Sequence, residues 1–498
     1  MLSTAILRPA AKDLTVGTLI FLLLCAYIIL TPVFDLLPVI GRYDEKRLLE
    51  CLLLLFISIS LITQPAIRDN WIRLAHQLPA NSRYLLACLV TLGLLSAVGA
   101  SAPEKAILEI SLYILLFITC LYTALQRQRL EQHFDTLITN ALLITSAFSL
   151  VAFSAAFMAA MIEPVPLLHW DLFVNFSHIR FFSQFQSWTL PLIVLPLLLN
   201  RSTPAGLRLW LPLFLAGSWW FLLFASGTRG SLLGLIVAAI VIAIAFGRHA
   251  LPWFKWQGLA LLIGLSLYIL LFLLPPLLGN ADTGAIQNGT IGRSLTNSSH
   301  RYDLWLVAWS MITEHPLLGI GPMHYACGIT NGIAAHPHNA VLQIAAEWGL
   351  PAALIVIFLL LNGARAWICQ GRARLATANA AAGYHHPMLY PALLGSLTTA
   401  TTHALFSGII NMPLSQITMT LVIGWMIGIY YRPADTFSKK PVATIAIWII
   451  LVLAASAGLI SGITPDLLNF GELLNINHIP AGLTHYMPRF WQQGLICG

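Results

Sequence analysis

The run "AAHPHNAVLQIAAEWGLP", residues 334–351, sets two histidines on either side of a proline, directly before an amphipathic stretch. Histidine titrates near neutral pH, so His338 reads as a general base for an incoming hydroxyl. If a helix starts near Asn339, then Asn339, Gln343 and Glu347 fall at i, i+4 and i+8 and form one polar stripe beside it. Glu347 would orient or polarise the site, with a helix-packing hydrogen bond as the plainer alternative. Asn339 and Gln343 would line it. Pro337 biases His336 towards an extended conformation, so the two histidines need not point the same way, and His336 is read as a supporting residue. A bland reading stays open: a helix N-terminus capped by Asn339 with exposed histidines beside it. A His-x-His pair can also bind a metal, but no Cys or acidic ligand stands at zinc-like spacing, and no metal is assigned.

Arginines supply the second chemistry. Arg180 lies in "SHIRFFSQFQSW" at an apolar edge, and Arg229 in the glycine-flanked turn "SGTRG". An arginine near hydrocarbon is expensive and marks a site by default. Its planar fork binds phosphate oxygens bidentately, which a lysine cannot do. Arg301 is a third candidate for substrate binding. The competing reading is that these side chains snorkel to lipid headgroups.

The elements that must position these residues are set by composition. The chain is 58% hydrophobic and 9% charged, against roughly 25% charged for a soluble domain. No soluble fold of 498 residues hides that much apolar surface. The fold class expected is therefore an all-α polytopic membrane protein. Crossings are placed near 14–34, 48–63, 84–100, 106–124, 136–162, 182–199, 209–225, 231–246, 256–279, 340–361, 388–410, 412–431 and 442–461, that is, about 12–13 transmembrane helices. The first segment is too long for a signal-peptide core and lacks a small-residue cleavage site, so it reads as a retained span. Gly349 and Pro351 interrupt the segment 340–361, which suggests an interfacial helix followed by a shifted crossing. No fixed-period repeat is present. The net charge of +7 is scattered through loops rather than clustered with aromatics, so nucleic acid is not an expected partner.

With the amino terminus cytoplasmic, seventeen of the 26 Lys and Arg residues fall inside and nine outside, which fixes sidedness. Four regions follow: amino-terminal crossings (1–162), a catalytic core (163–361) with a long outer loop (280–339), carboxyl-terminal crossings (362–461) and an outer tail (462–498). Within the loop, "HRYDLWLVAWSMITEHPLLGIGP" has helical periodicity up to Glu314 and then a Pro/Gly-rich turn, so the loop carries at least one helix, read as a lid. Of seven cysteines, only Cys327 and Cys497 fall clearly outside. In an oxidising compartment they could pair and staple the tail to the lid; otherwise they are two free thiols.

The order of "RFFSQFQSWTLP", "SGTRGS", "HPLLGIGPMHY" and "PHNAVLQIAAEWGLP" resembles the bacterial O-antigen ligase superfamily over roughly residues 170–360. That superfamily contains lipopolysaccharide O-antigen ligases and O-linked protein oligosaccharyltransferases. The resemblance implies a bacterial inner-membrane glycosyltransferase that works at the periplasmic face without metal or other cofactor. Its donor would be an undecaprenyl-pyrophosphate-linked glycan, transferred en bloc to an acceptor hydroxyl. It also implies that Arg180 and Arg229 hold the pyrophosphate and that His338 is essential. Positioned guanidinium groups can stabilise the charge developing on the leaving group, and a single displacement would invert the anomeric centre.

The extra crossing near 442–461 and the tail ending "THYMPRFWQQGLICG" resemble protein-directed enzymes. The long helical-repeat domain of many general ones is not seen here, which fits a narrower acceptor such as a pilin-like protein. Ligation onto lipid A-core and O-antigen polymerisation are the alternatives. A lipid-linked glycan transporter is the non-enzyme reading, though its polar groups should sit near the midplane on repeat-related broken helices.

Overall fold

The computed structural model describes residues 16–162, 172–173, 175–199, 205–274, 300–327, 334–376, 386–431, 442–469 and 488–494. Among these residues the regular structure is entirely helical. The helices are α1 (Val16–Leu30), α2 (Arg42–Thr63), α3 (Pro65–Gln77), α4 (Ala80–Val98), α5 (Pro103–Leu130), α6 (Gln132–Ile162), α7 (Ile179–Thr189), α8 (Leu195–Leu199), α9 (Leu207–Ser226), α10 (Arg229–Phe246), α11 (Leu251–Tyr268), α12 (Arg301–Glu314), α13 (Ala340–Trp348), α14 (Leu350–Ala376), α15 (Leu389–Ala404), α16 (Pro413–Tyr430) and α17 (Val442–Leu468). The chain is an all-α polytopic membrane protein, and each of the thirteen segments expected to cross contains a helix.

Among the described residues, nine helices are long and apolar enough to span a bilayer, or ten if α2 and α3, bent by 102°, count as one broken span. One of the nine is the continuous stretch Arg229–Leu273 of 45 residues. At 1.5 Å per residue it would run about 68 Å, twice the ~30 Å hydrocarbon core. A one-turn 3-10 segment, Gly247–Ala250, divides it, and Gly247 has φ 52°. The two halves have different neighbours, α10 running along α15 and α11 along α9. They are two crossings, as the sequence predicts. Residues 340–361 likewise split at Gly349 into short α13 and the crossing α14.

The middle of the bundle is α5, gripped from two sides. On α16, "GWMIG" places Gly424 and Gly428 one turn apart, and a Cβ at either would meet the Cys120 or Ala124 carbonyl and the Thr123 or Arg127 side chain. On α17, "GLISG" does the same with Gly458 and Gly462 against Ser111 and Leu108. Lipid is as apolar as leucine, so helices in a bilayer gain by close backbone approach, which this small-xxx-small spacing permits. The buried aromatics of α7 and α9, Phe182, Phe185 and Trp219, extend the core towards the site.

The two expected faces are separated in space. At one end, Arg47, Lys46, Arg489 and Lys105 contact Asn411, Asn175, Glu109 and Asp466. At the other, Arg127 pairs with Asp135, Gln128 with the Tyr431 carbonyl and Arg372 with the Ala245 carbonyl. Residues 488–494 lie at the first end. Helix α1 ends there too, since the Tyr27 hydroxyl donates to the Lys46 carbonyl (3.0 Å), so α1 begins at the opposite end from this tail segment. Replacing Gly428 with Leu should force α16 off α5. Overpacking of this kind costs about 1–3 kcal/mol, so the thermal unfolding midpoint in detergent should fall by several degrees. An unchanged midpoint would show that the α5–α16 contact is loose.

Candidate functional site

The polar stripe of α13 is held at both ends by hydrogen bonds, at one end from its own cap and at the other from a turn earlier in the chain. Asn339 is the N-cap: its side-chain oxygen accepts from the amides of Val341 (3.0 Å) and Leu342 (3.1 Å). The other end stops at Gly349, whose φ of 87° suits glycine and whose Cα lies against the Leu317 carbonyl. There the "HPLLGIGP" turn after α12 docks. Its Ile320 and Gly321 amides donate to the Ala346 (2.9 Å) and Glu347 (3.1 Å) carbonyls, and Leu350 N donates to the Pro316 carbonyl (2.9 Å). Carbonyls that a helix end leaves unmet are thus satisfied. The Pro/Gly-rich turn is the C-terminal clasp of α13.

Just before the N-cap, His336 and His338 bring their rings to 4.3 Å, nearly perpendicular at 84°. His336 is buried, its ring resting on the Cα of Gly408. Its Nδ1 accepts from the His338 amide (3.3 Å), so in the neutral ring the proton sits on Nε2. His338 is partly exposed and has φ 53°, a left-handed backbone that costs a non-glycine residue energy and persists where the surroundings impose it. Part of that imposition comes from α12, whose Trp305 indole donates to the Pro337 carbonyl (3.1 Å).

The histidines sit among cations from distant parts of the chain. Burial, followed by the charges of Arg489 and Arg180, pushes His336 down to about 3. His338 is pushed well below the ordinary histidine value by burial first, then by His336, Arg180, Arg301 and His178. Both rings are therefore neutral at pH 7. Arg180 is placed by the first turn of α7, where His178 Nδ1 accepts the Arg180 amide (3.0 Å). Arg301 opens α12.

Arg229 opens α10, and its neighbour Gly230 lets the His403 ring of α15 press against the backbone. His403 Nδ1 lies 2.8 Å from the Ser187 hydroxyl of α7 and 3.3 Å from that of Ser231 on α10. The two hydroxyls are 2.9 Å apart. One imidazole and two serines thus lock together the helices that carry Arg180 and Arg229, and Arg180 and Arg301 are within electrostatic reach of this imidazole too.

Gln343 and Glu347 face a different set of groups. Both are buried. Glu347 accepts the Tyr325 amide at Oε1 (3.0 Å), and at Oε2 Gln343 Nε2 (3.3 Å) and Arg489 Nη2 (2.6 Å). Burial pushes this carboxyl upwards, against the opposing pull of Arg489. Gln343 exchanges two hydrogen bonds with Asn411, each 3.0 Å. Arg489 also pairs with Glu109 (2.7 Å) and donates to Asn411. Next to it, Arg47 is buried against Glu50, Gln416 and the Asn411 carbonyl.

The sequence-derived residues thus fall into two adjoining groups. His336, His338, Arg180 and Arg301 share one electrostatic neighbourhood, with Arg229 tied to it through His403. Asn339 spends its side-chain oxygen on the cap, while Gln343 and Glu347 hold the strand of tail that carries Arg489. Sequence reading missed Arg489, Glu109, Arg47, Asn411 and His403. Glu50 and Glu109 did carry a signal, being acids inside apolar segments, where ionisable residues mark function. Among the described residues no three His, Cys, Asp or Glu side chains gather as a metal site.

Cys327, beside the clasp turn, is disulfide-bonded, while Cys25, Cys51, Cys88, Cys120 and Cys369 are free thiols. Cys497, the partner that the sequence suggests, lies outside the described residues. Thiol titration of the denatured, unreduced protein should therefore find five free groups and, after reduction, all seven. Six free thiols with a dimer on a non-reducing gel would mean that Cys327 pairs between molecules.

Residues 212–357 match the family model described as O-antigen ligase. This segment includes Arg229, Arg301, both histidines and the whole of α13, and it excludes Arg180, His403 and Arg489. No curated protein matches the chain. The matched segment is thus similar to the O-antigen ligase family that the histidine and arginine motifs resemble, and this similarity supports a membrane glycosyltransferase-like function.

Proposed function

We propose that this chain, with its O-antigen ligase domain over residues 212–357, moves a preassembled oligosaccharide en bloc from an undecaprenyl-pyrophosphate carrier to an acceptor hydroxyl. The reaction runs at the periplasmic face of a bacterial inner membrane, with the amino terminus cytoplasmic. The observation that carries the reading is the His336–His338 ring pair, 4.3 Å apart and directly before the Asn339 cap, with Arg180 and Arg301 among the charges that reach His338. A site that gathers several guanidinium groups around two uncharged imidazoles suits an anion. When a pyrophosphate enters, its negative charge offsets those cations and raises the basicity of His338. The base becomes effective only once the donor is in place.

In the transfer step, the acceptor hydroxyl gives its proton to His338 as its oxygen forms a bond to the anomeric carbon of the sugar. The bond from that carbon to the pyrophosphate oxygen breaks, and its electron pair leaves with the lipid pyrophosphate. Arg180, Arg229 and Arg301 stabilise that departing charge. His336 supports His338 from behind, and Glu347, Gln343 and Asn339 hold the helix from which the histidines project.

The acceptor we favour is a serine or threonine of a protein, of pilin type. The observation that favours it is that residues 488–494 pack at the same end as the histidines, so an odd number of crossings brings the carboxyl-terminal tail to the side where acceptors arrive. Ligation onto lipid A-core and chain polymerisation are the competing outcomes.

His338→Ala should lower transfer by about 10²–10⁴-fold while insertion and expression hold; normal transfer would remove His338 from the chemistry. Arg180→Ala, Arg229→Ala and Arg301→Ala should weaken donor use. Arg229→Lys should rescue poorly, since a point charge lacks the fork, and full activity with lysine would sink bidentate recognition.

The pH dependence has a definite sign. The acid limb of kcat/KM, set by the free enzyme, should lie well below pH 6.5, and that of kcat, set by the donor complex, should lie higher. Coincident limbs would mean that donor charge does not tune the base. Mass spectrometry of periplasmic proteins beside lipopolysaccharide gels, from cells with and without the gene, identifies the acceptor. Glycan missing only from lipopolysaccharide would replace the protein acceptor with lipid A-core, and glycan missing from both would favour a transporter of the shared donor.

A further inference from the structure

Residues 488–494 thread across the end of the bundle that carries the histidines, and hydrogen bonds at residues 489–492 tie this short segment to several helices. The Arg489 carbonyl accepts the Tyr43 hydroxyl (2.9 Å), and the Phe490 carbonyl accepts Arg47 Nε (3.0 Å). The Gln492 amide donates to Asp44 (2.7 Å). The Trp491 indole donates to Asp466 (2.8 Å), itself paired with Lys105 (3.2 Å). This strap thereby joins α2, α5 and α17. Its centre, the Arg489 guanidinium, is 3% exposed and reaches two acids and one amide at once: Glu109 on α5, Glu347 on α13, and Asn411 in the link between α15 and α16.

Two buried carboxylates share this one guanidinium. A buried ion pair is by itself weak grounds for stability, because the desolvation cost can match the attraction. The partners of Arg489, however, lead to the histidines by two routes. Glu347 lies on the same face of α13 as Asn339, the cap that directly follows His338. Asn411 closes a turn by donating its amide to the Gly408 carbonyl (2.9 Å), and Gly408 is the surface on which the His336 ring rests.

We propose that the carboxyl-terminal strap is a positioning element of the transfer site, in which Arg489 clamps Glu347 and Asn411 together and so fixes α13 and the His336–Asn339 turn. The clamp rests on the reading of His338 as the base. Its second effect is electrostatic. The groups facing the histidine pair are His178 and Arg180 from α7 and its cap, Arg301 from α12 and Arg489 from the strap. Loss of Arg489 removes one positive charge from that set.

The test uses full-length protein in nanodiscs with three variants, Arg489→Gln, Arg489→Lys and the double variant Arg489→Gln with Glu347→Gln. Hydrogen exchange reads residues 334–348, and transfer from a purified lipid-pyrophosphate glycan reads kcat and KM. For Arg489→Gln, the expected result is an about tenfold loss of exchange protection in α13. With it should come an about 10²-fold lower kcat at little changed donor KM, as for a small misplacement of a catalytic group. The acid limb should move up by up to about one pH unit.

Arg489→Lys, which keeps the charge without the fork, should recover the limb but not the full kcat. The double variant, with an amide pair in place of the ion pair, should regain protection yet keep a reduced kcat. It also carries the test if the single variant does not fold. Unchanged kcat and protection in Arg489→Gln overturn the clamp. Full recovery of kcat in the double variant reduces Arg489 to a charge partner of the fold, which also overturns it. If the wild type transfers no glycan while α13 still loosens on loss of Arg489, the transfer reading fails and the hold of the strap on α13 stands.

Discussion

A guanidinium enclosed between two carboxylates at the mouth of an apolar bundle constrains everything around it. Neither acid can lie buried unless the cation is there, and the cation cannot enter without acceptors. Glu109, Glu347 and Asn411 supply acceptors to both terminal nitrogens of Arg489. They draw a crossing, a short helix, an inter-helix turn and a remote tail segment to one point. Arg47 with Glu50 and Gln416 repeats the arrangement one layer away. Such groups can sit among apolar crossings because each arginine satisfies several acceptors, which a lysine in the same space would not.

Around that anchor the architecture divides labour. The crossings pack through small residues, with α5 at the centre, and give a rigid frame that needs no polar contact. The polar groups are collected at one end, where short elements meet: the first turns of α7, α10 and α12 each offer an arginine, and α13 projects the histidine turn. The clasp after α12 and the Asn339 cap settle where α13 begins and stops, and the serine–histidine lock at His403 ties α7, α10 and α15 together. Together they hold side chains that would otherwise repel one another. Several arginines near two imidazoles form an arrangement whose mutual repulsion an anion would relieve.

Much of this was legible in the sequence. Apolar runs of crossing length gave helices at every expected segment, because a chain in lipid must satisfy its backbone internally. The break at Gly349 and Pro351, the helix ending at Glu314, the cap at Asn339 and the polar stripe on α13 followed from local rules of capping and periodicity. His338 stood out by residue type and place. The stripe's role was less legible: Gln343 and Glu347 face the tail, and a periodicity argument cannot say what lies opposite a helix face.

By itself, then, the sequence determined the class of fold, the crossing segments and the candidate histidine and arginines, since these depend on interactions within a few turns of chain. Only the tertiary structure decided which residues share a site. Arg489 is remote from Glu347 along the chain and more so from Glu109, and in the sequence it is an arginine among aromatics in a tail. What makes it a clamp is the pair of acids brought beside it by helix packing. His403, likewise, is a lone histidine in an apolar run until α7 and α10 place two serines against its ring. Charge and hydrogen-bond complementarity across a membrane bundle arises between elements distant in sequence, so it is written in the packing and not in any local pattern.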